Sequence, residues 1–126
     1  GPVAFYEMDA AKNVTLVRVN DLYYNIVGRE ALEDKSYEKH ITDYVINKEE
    51  VVKLLEQAEK NPLTGSQADI LYRRSDGQQL TLHTHAFLVS RNEEGIGRYF
   101  VSMRNFTVLY DRIRKEIRQE LKENDK

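Results

Sequence analysis

ADILYRRSDGQQLTLHTHAFL, residues 68–88, reads as a β-hairpin, and the rest of the chain can be placed around it. Ala68, Ile70 and Tyr72 recur every second residue. Asp76-Gly77 supplies the turn, and Leu80, Leu82, Thr84, Ala86 and Leu88 form the matching face of the return strand. The pleat then sends Thr81, His83, His85 and Phe87 to the opposite face. Two histidines two apart on one face can hold a transition metal. No carboxylate or third histidine falls beside them in sequence, so the expectation is sheet surface or interface, with no metal.

Before the hairpin, VAFYEM (3–8) and VTLVRV (14–19) are β-branched and aromatic runs separated by DAAKN, a tight-turn composition. Asn20 precedes DLYYNIV and Gly28 follows it, which predicts a short helix with an asparagine cap and a left-handed glycine at its end. Residues 29–46 are polar with scattered Leu32, Tyr37, Ile41, Tyr44 and Val45, and read as short helical turns and loop. Asn47 and Glu50 resemble a capping box for a helix over 48–60, with Val51, Leu54, Leu55 and Ala58 at helical spacing. Asn61-Pro62 ends it, because proline disfavours helical geometry in the residue before it.

After the hairpin, a turn in Arg91 to Gly97 leads to a strand over Arg98–Asn105 with Tyr99, Val101 and Met103 on one side. The remainder, VLYDRIRKEIRQELKENDK (108–126), is helical in propensity. Leu109, Ile113, Ile117 and Leu121 recur every four residues. Tyr110, Ile113 and Ile117 also fit the start of a coiled-coil seam whose next position is Glu120. Thr107 is placed to cap this helix.

Composition excludes several functions. The 126 residues are 40% hydrophobic, enough for one domain with one core. Nineteen basic against 21 acidic residues give a net charge of -2, with no excess to hold a nucleic-acid backbone. With no cysteine there are no disulfides, thiolate metal sites or cysteine nucleophiles, as in a reducing cytoplasm. No run of about 18 apolar residues predicts a membrane span. Gly1-Pro2 reads as a protease scar, leaving a domain over 3–107 and a helix start over 108–126. No nucleophile elbow or phosphate-cradling loop is present, and the acidic pairs Glu49-Glu50 and Glu93-Glu94 suit solvated surface, so no catalytic residue is assigned.

VNDLYYNIVG, YRRSDG and Asn105-Phe106-Thr107, in this order and spacing, resemble the PAS domains of bacterial signalling proteins over about Val3 to Thr107. The resemblance implies an α+β fold: a five-stranded antiparallel sheet with short helices on one face and a C-terminal output helix. It also implies a cavity between sheet and helices, lined by Tyr24, Tyr44, Leu55, Ile70, Tyr72, Leu82, Val101 and Met103. These residues either receive a small organic ligand or simply fill the core. Asn105 and Thr107 become the signal relay, with Asn105 where the family usually has Asp, so the usual ion pair there is replaced by a neutral hydrogen bond. Leu71, His83, His85, Phe87 and Phe100 form an outer face covered by a partner subunit or a terminal helix.

Haem-binding relatives supply an axial His from the longer middle helix, and KEEVVKLLEQAEK has none; His40 upstream reads as a loop histidine. Flavin relatives use a cysteine or a nearby tryptophan, and both are absent. The expectation is therefore no haem or flavin. By resemblance, the domain is a homodimeric cytoplasmic sensor joined to a downstream effector, a diguanylate cyclase first and a histidine kinase next. A constitutive dimerisation module is the alternative.

Overall fold

In the computed structural model, residues 1–27, 45–74 and 76–124 are described. The expected turns over 29–44, the Gly28 helix end, His40 and Tyr44 lie outside the described residues. Strands β1 (Val3–Met8) and β2 (Val14–Val19) lead into α1 (Asp21–Val27). Helix α2 (Lys48–Lys60) precedes β3 (Ser66–Arg73), β4 (Gln79–Arg91) and β5 (Gly97–Asn105), and α3 (Thr107–Asn124) ends the chain. The five strands form one antiparallel sheet in the order β2-β1-β5-β4-β3.

Three hairpin turns set the register through short side chains that bond their own backbone. Asp9 Oδ1 accepts from Asn13 N at 2.9 Å, Asp76 Oδ1 from Gln78 N at 2.9 Å, and Asn92 Oδ1 from Glu94 N and Ile96 N at 3.0 and 2.9 Å. Gly77 and Gly95 supply the positive φ of the second and third turns (89° and 82°), and Lys12 that of the first (67°). The carboxyl of Asp9 is held below its ordinary pKa, first by the Asn13 backbone N–H.

The period-two reading of β3, β4 and β5 matches the sheet. Ile70, Tyr72, Leu80, Leu82, Thr84, Ala86, Tyr99, Val101 and Met103 are buried on the inner face. Helix α2 lies across that face against β3 and β4, burying Val51, Leu54, Leu55 and Ala58. Each fully buried leucine there contributes about 1.5–3 kcal/mol of apolar burial. The helix starts where Asn47 Oδ1 accepts from Glu49 N at 3.1 Å. The return half of the expected capping box, Glu50 to Asn47 N, is absent among the described residues. Thr84, the buried polar side chain of this face, donates to Leu82 O at 3.0 Å.

Asn20 carries three bonds at the other end of the sheet. Its Oδ1 accepts from Tyr23 N (3.2 Å), which caps α1, and from Val3 N (3.0 Å), while its Nδ2 donates to Gly1 O (3.1 Å). Asn20→Ala is expected to lower stability by about 1–2 kcal/mol, because a cap and a strand-end clamp go together. A change below about 0.3 kcal/mol in urea unfolding would show that water replaces both.

Candidate functional site

Two places join polar chemistry to the fold, one inside the sheet and one outside it. Inside, four tyrosines among the described residues are fully buried: Tyr6, Tyr23, Tyr72 and Tyr99. The Tyr6 and Tyr72 hydroxyls share a hydrogen bond of 2.6 Å. Burial raises the Tyr6 hydroxyl well above its ordinary pKa, and the neighbouring Tyr23 and Tyr72 raise it further. Burial likewise pushes Tyr72 up to about 12, against the bond from Tyr6. Both stay protonated near neutrality, so the cluster offers neutral donors and acceptors within apolar walls.

Among the expected cavity residues, Leu55, Ile70, Tyr72, Leu82, Val101 and Met103 all belong to the buried core around this cluster. Tyr24 is only partly buried and packs against it, and its neighbour Tyr23 takes the fully buried place. Tyr6 escaped the sequence reading because it pairs with a residue 66 positions away. Tyr99 bonds across the opposite end of the core to Glu59 of α2, which also receives Arg91 Nη2 at 2.6 Å. Partial burial opposes charge on Glu59, yet these two donors hold its pKa below the ordinary value.

Outside, Phe5, Phe100 and Phe87 stand side by side across β1, β5 and β4. The Phe5 and Phe100 rings meet edge-on at 5.5 Å, Arg98 lies 5.4 Å over Phe5, and His85 leans on Phe87 at 4.3 Å. Leu71, His83, His85, Phe87 and Phe100 thus share this face, with Leu71 exposed and the other four partly buried. His85 Nε2 bonds Thr64 O at 2.8 Å. A niche of about 190 Å³ lined by Gln67, His83, His85, Ser102, Met103 and Arg104 lies here, below the size of an ordinary ligand pocket. No group of three or more metal-ligating side chains occurs among the described residues.

The exit helix begins on this outer face. Asn105 Oδ1 accepts from Thr107 N at 3.1 Å, a neutral local bond. Thr107 does not cap the helix, contrary to expectation: its hydroxyl accepts from Thr81 N at 2.9 Å, while Phe106 N donates to Thr81 O at 3.0 Å. The hydroxyl meets the β4 amide that lies just past the last β4–β5 pair, Leu82 with Asn105, and α3 starts one residue earlier than its propensity suggested. Phe106 stacks on His83 at 5.3 Å, and Tyr110 donates to Asp69 Oδ2 at 2.5 Å. Asp69 Oδ1 meets His83 Nδ1 at 2.8 Å, and His83 Nε2 meets Gln67 Oε1 at 2.8 Å. Beyond this first turn α3 leaves the sheet, with Leu109, Ile113, Ile117 and Leu121 exposed.

Thr107→Ala is expected to cost about 1 kcal/mol and to speed amide exchange at Thr81, since that N–H loses its partner. Unchanged exchange at Thr81 would count against the bond. The junction should also respond to acid. Tyr110 first, then His83, holds the Asp69 carboxyl below its ordinary pKa, with slight burial opposing. Its contribution is therefore present above the unfolded carboxylate pKa and lost as pH falls through the lowered value. Amides at the start of α3 are expected to exchange faster, after correction for intrinsic rates, at a pH below the ordinary carboxylate range than at pH 6. Asp69→Asn should remove that step.

No protein-family model and no curated protein matches the sequence. Solved structures do match. The PAS domain of an HTR-like protein from Haloarcula marismortui is 19% identical, with 82% of this chain and 80% of that chain covered, at a TM-score of 0.57. A PAS domain from Colwellia psychrerythraea is 13% identical over 83% of this chain and 86% of that one, at 0.60. A blue-light activated histidine kinase from Erythrobacter litoralis is 15% identical, at 0.56; the match covers 84% of this chain and 33% of the kinase. No helix among the described residues is long and apolar enough to cross a membrane. The five-stranded antiparallel sheet with its helices matches the fold of these structures, and the chain has the PAS fold.

Proposed function

We propose that this chain is a non-catalytic sensory domain that takes a small ligand against its inner sheet face, self-associates, and passes the change to an effector through α3. The observation that carries the reading is the placement of the two sites on opposite faces of one sheet. A buried tyrosine pair lies inside, and the first turn of the exit helix is tied outside by Thr107, Phe106 and Tyr110. Neutral tyrosyl hydroxyls in apolar walls suit an uncharged or singly charged organic metabolite with one or two acceptors. Haem and flavin do not suit this chain, which lacks the cysteine, the tryptophan and the middle-helix histidine that would hold or serve them.

The effector that fits best is a histidine kinase, the effector of the Erythrobacter litoralis neighbour. A diguanylate cyclase, favoured by the sequence resemblance alone, comes second. The test is a thermal-shift and amide-resonance screen of small metabolites. A binder at about 100 times its Kd should add about 2.7 kcal/mol and move resonances of Tyr6 or Tyr72. Protection confined to surface residues, with none at the inner face, would overturn ligand sensing.

The outer face favours a second copy of the chain as its cover, since a row of three phenylalanines is a patch that monomers seldom leave open. Phe87→Glu is expected to weaken self-association by about tenfold or more in sedimentation. Equal association of variant and parent would make this face ordinary surface.

A further inference from the structure

We propose that strand β3 couples the tyrosine cluster to the exit helix, with Asp69 as the positioning residue that holds Tyr110. The proposal rests on the sensor reading above and names the route by which that site would act. β3 is an edge strand of the sheet, paired along its length with β4 and met on its other side, among the described residues, at the Val45–Tyr72 bridge, so it is freer to shift than the strands held along both sides.

Its second half is tied to the inner side of the domain. Val45, at the end of the segment that follows α1, bridges to Tyr72, and Ile46 N donates to Leu71 O at 3.0 Å. Just past the strand, Arg74 Nη1 donates to Ile26 O of α1 at 3.1 Å. Tyr72 itself holds Tyr6. Occupation of the inner face that moved α1, Val45 or the tyrosine pair would therefore pull on β3.

Three residues back along the strand, Asp69 points to the other face, and about 10 Å of extended backbone separates it from Tyr72. Its two carboxylate oxygens are divided between elements. Oδ2 takes the Tyr110 hydroxyl of α3 and Oδ1 takes His83 of β4, which lies directly across from it in the register. His83 is in turn braced by Gln67 and stacked under Phe106, which meets Tyr110 edge-on at 6.0 Å. Asp69 thus has little freedom to swing independently of its strand, and a shift of β3 along β4 moves the acceptor that Tyr110 needs. Asn105 and Thr107 tie the helix start to β5 and β4 and do not report on β3, while the stack of Phe106 on His83 reaches β3 indirectly, through Asp69 and Gln67.

A double-mutant cycle on this chain tests the route without any ligand, reading amide resonances and exchange over Thr107–Ile113. Tyr110→Phe, which removes only the hydroxyl, should speed exchange there by about fivefold, the worth of one hydrogen bond. Tyr72→Phe, made inside the core, should shift the same resonances in the parent and shift them clearly less in the Tyr110→Phe background. Ile70→Val serves as a second interior perturbation on the same strand if Tyr72→Phe folds poorly. Shifts of equal size in both backgrounds would overturn the proposal and leave Asp69–Tyr110 as an anchor. A domain that binds no metabolite while the cycle shows coupling would overturn the sensor reading and leave this route intact.

Discussion

Gly65→Ala is expected to destabilise the domain by about 3 kcal/mol, although the position is one residue in a surface connection between α2 and β3. Two effects add. Gly65 has φ of +66°, where a side chain carries a conformational penalty of about 1 kcal/mol. An added Cβ would also lie 2.3 Å from Ala86 O and 2.9 Å from two ring carbons of Phe87. The oxygen belongs to β4, which is held between β3 and β5, so it cannot retreat without opening the sheet. Overpacking of this kind costs about 1–3 kcal/mol. Gly77→Ala is the internal control: its φ is 89° but nothing lies within 4 Å of the added carbon, so the conformational penalty alone remains. The difference between the two variants in urea unfolding isolates the contact. Equal losses would mean that β4 yields at Ala86 and that Phe87 is not held from below.

The contrast shows where sequence reading succeeds and where it stops. Alternation in ADILYRRSDGQQLTLHTHAFL was sufficient to place Ile70, Tyr72, Leu82 and Ala86 inside and His83, His85 and Phe87 outside, because a strand has only two faces. A seven-residue helix gives no such discrimination. Tyr23 and Tyr24 are adjacent, either fits an inward position over two turns, and packing against the sheet puts Tyr23 inside. Thr107 illustrates a different limit. A hydroxyl at a helix start serves a cap or a neighbouring strand with the same residue type, and only the position of Thr81 distinguishes them. The Asp69–His83–Tyr110 contacts join β3, β4 and α3, and Tyr6–Tyr72 joins β1 and β3. Neither leaves a local pattern, since register between distant strands has to be known before the partners can be named.

The tyrosine pair should show the second large effect, with a form that distinguishes a bonded pair from ordinary core. Tyr72→Phe leaves the Tyr6 hydroxyl buried without its 2.6 Å partner, at a cost of about 2 kcal/mol. Tyr6→Phe does the same to Tyr72. Replacing both removes the unpaired groups together, so the double variant should lose clearly less than the two single losses added, by about 1 kcal/mol or more. Alkali gives an independent reading. Burial raises both hydroxyls above their ordinary pKa of 10.0, Tyr72 to about 12. Between those values the unfolded chain has released protons that the folded chain retains, so stability is intact below pH 10 and falls as pH rises through that window. The double phenylalanine variant should keep more of its neutral-pH stability at pH 11 than the parent does, with the other tyrosines unchanged as background. Additive single losses together with an unchanged alkaline limb would mean that water reaches both hydroxyls. The inner face would then lack the dry polar pair on which ligand recognition is argued.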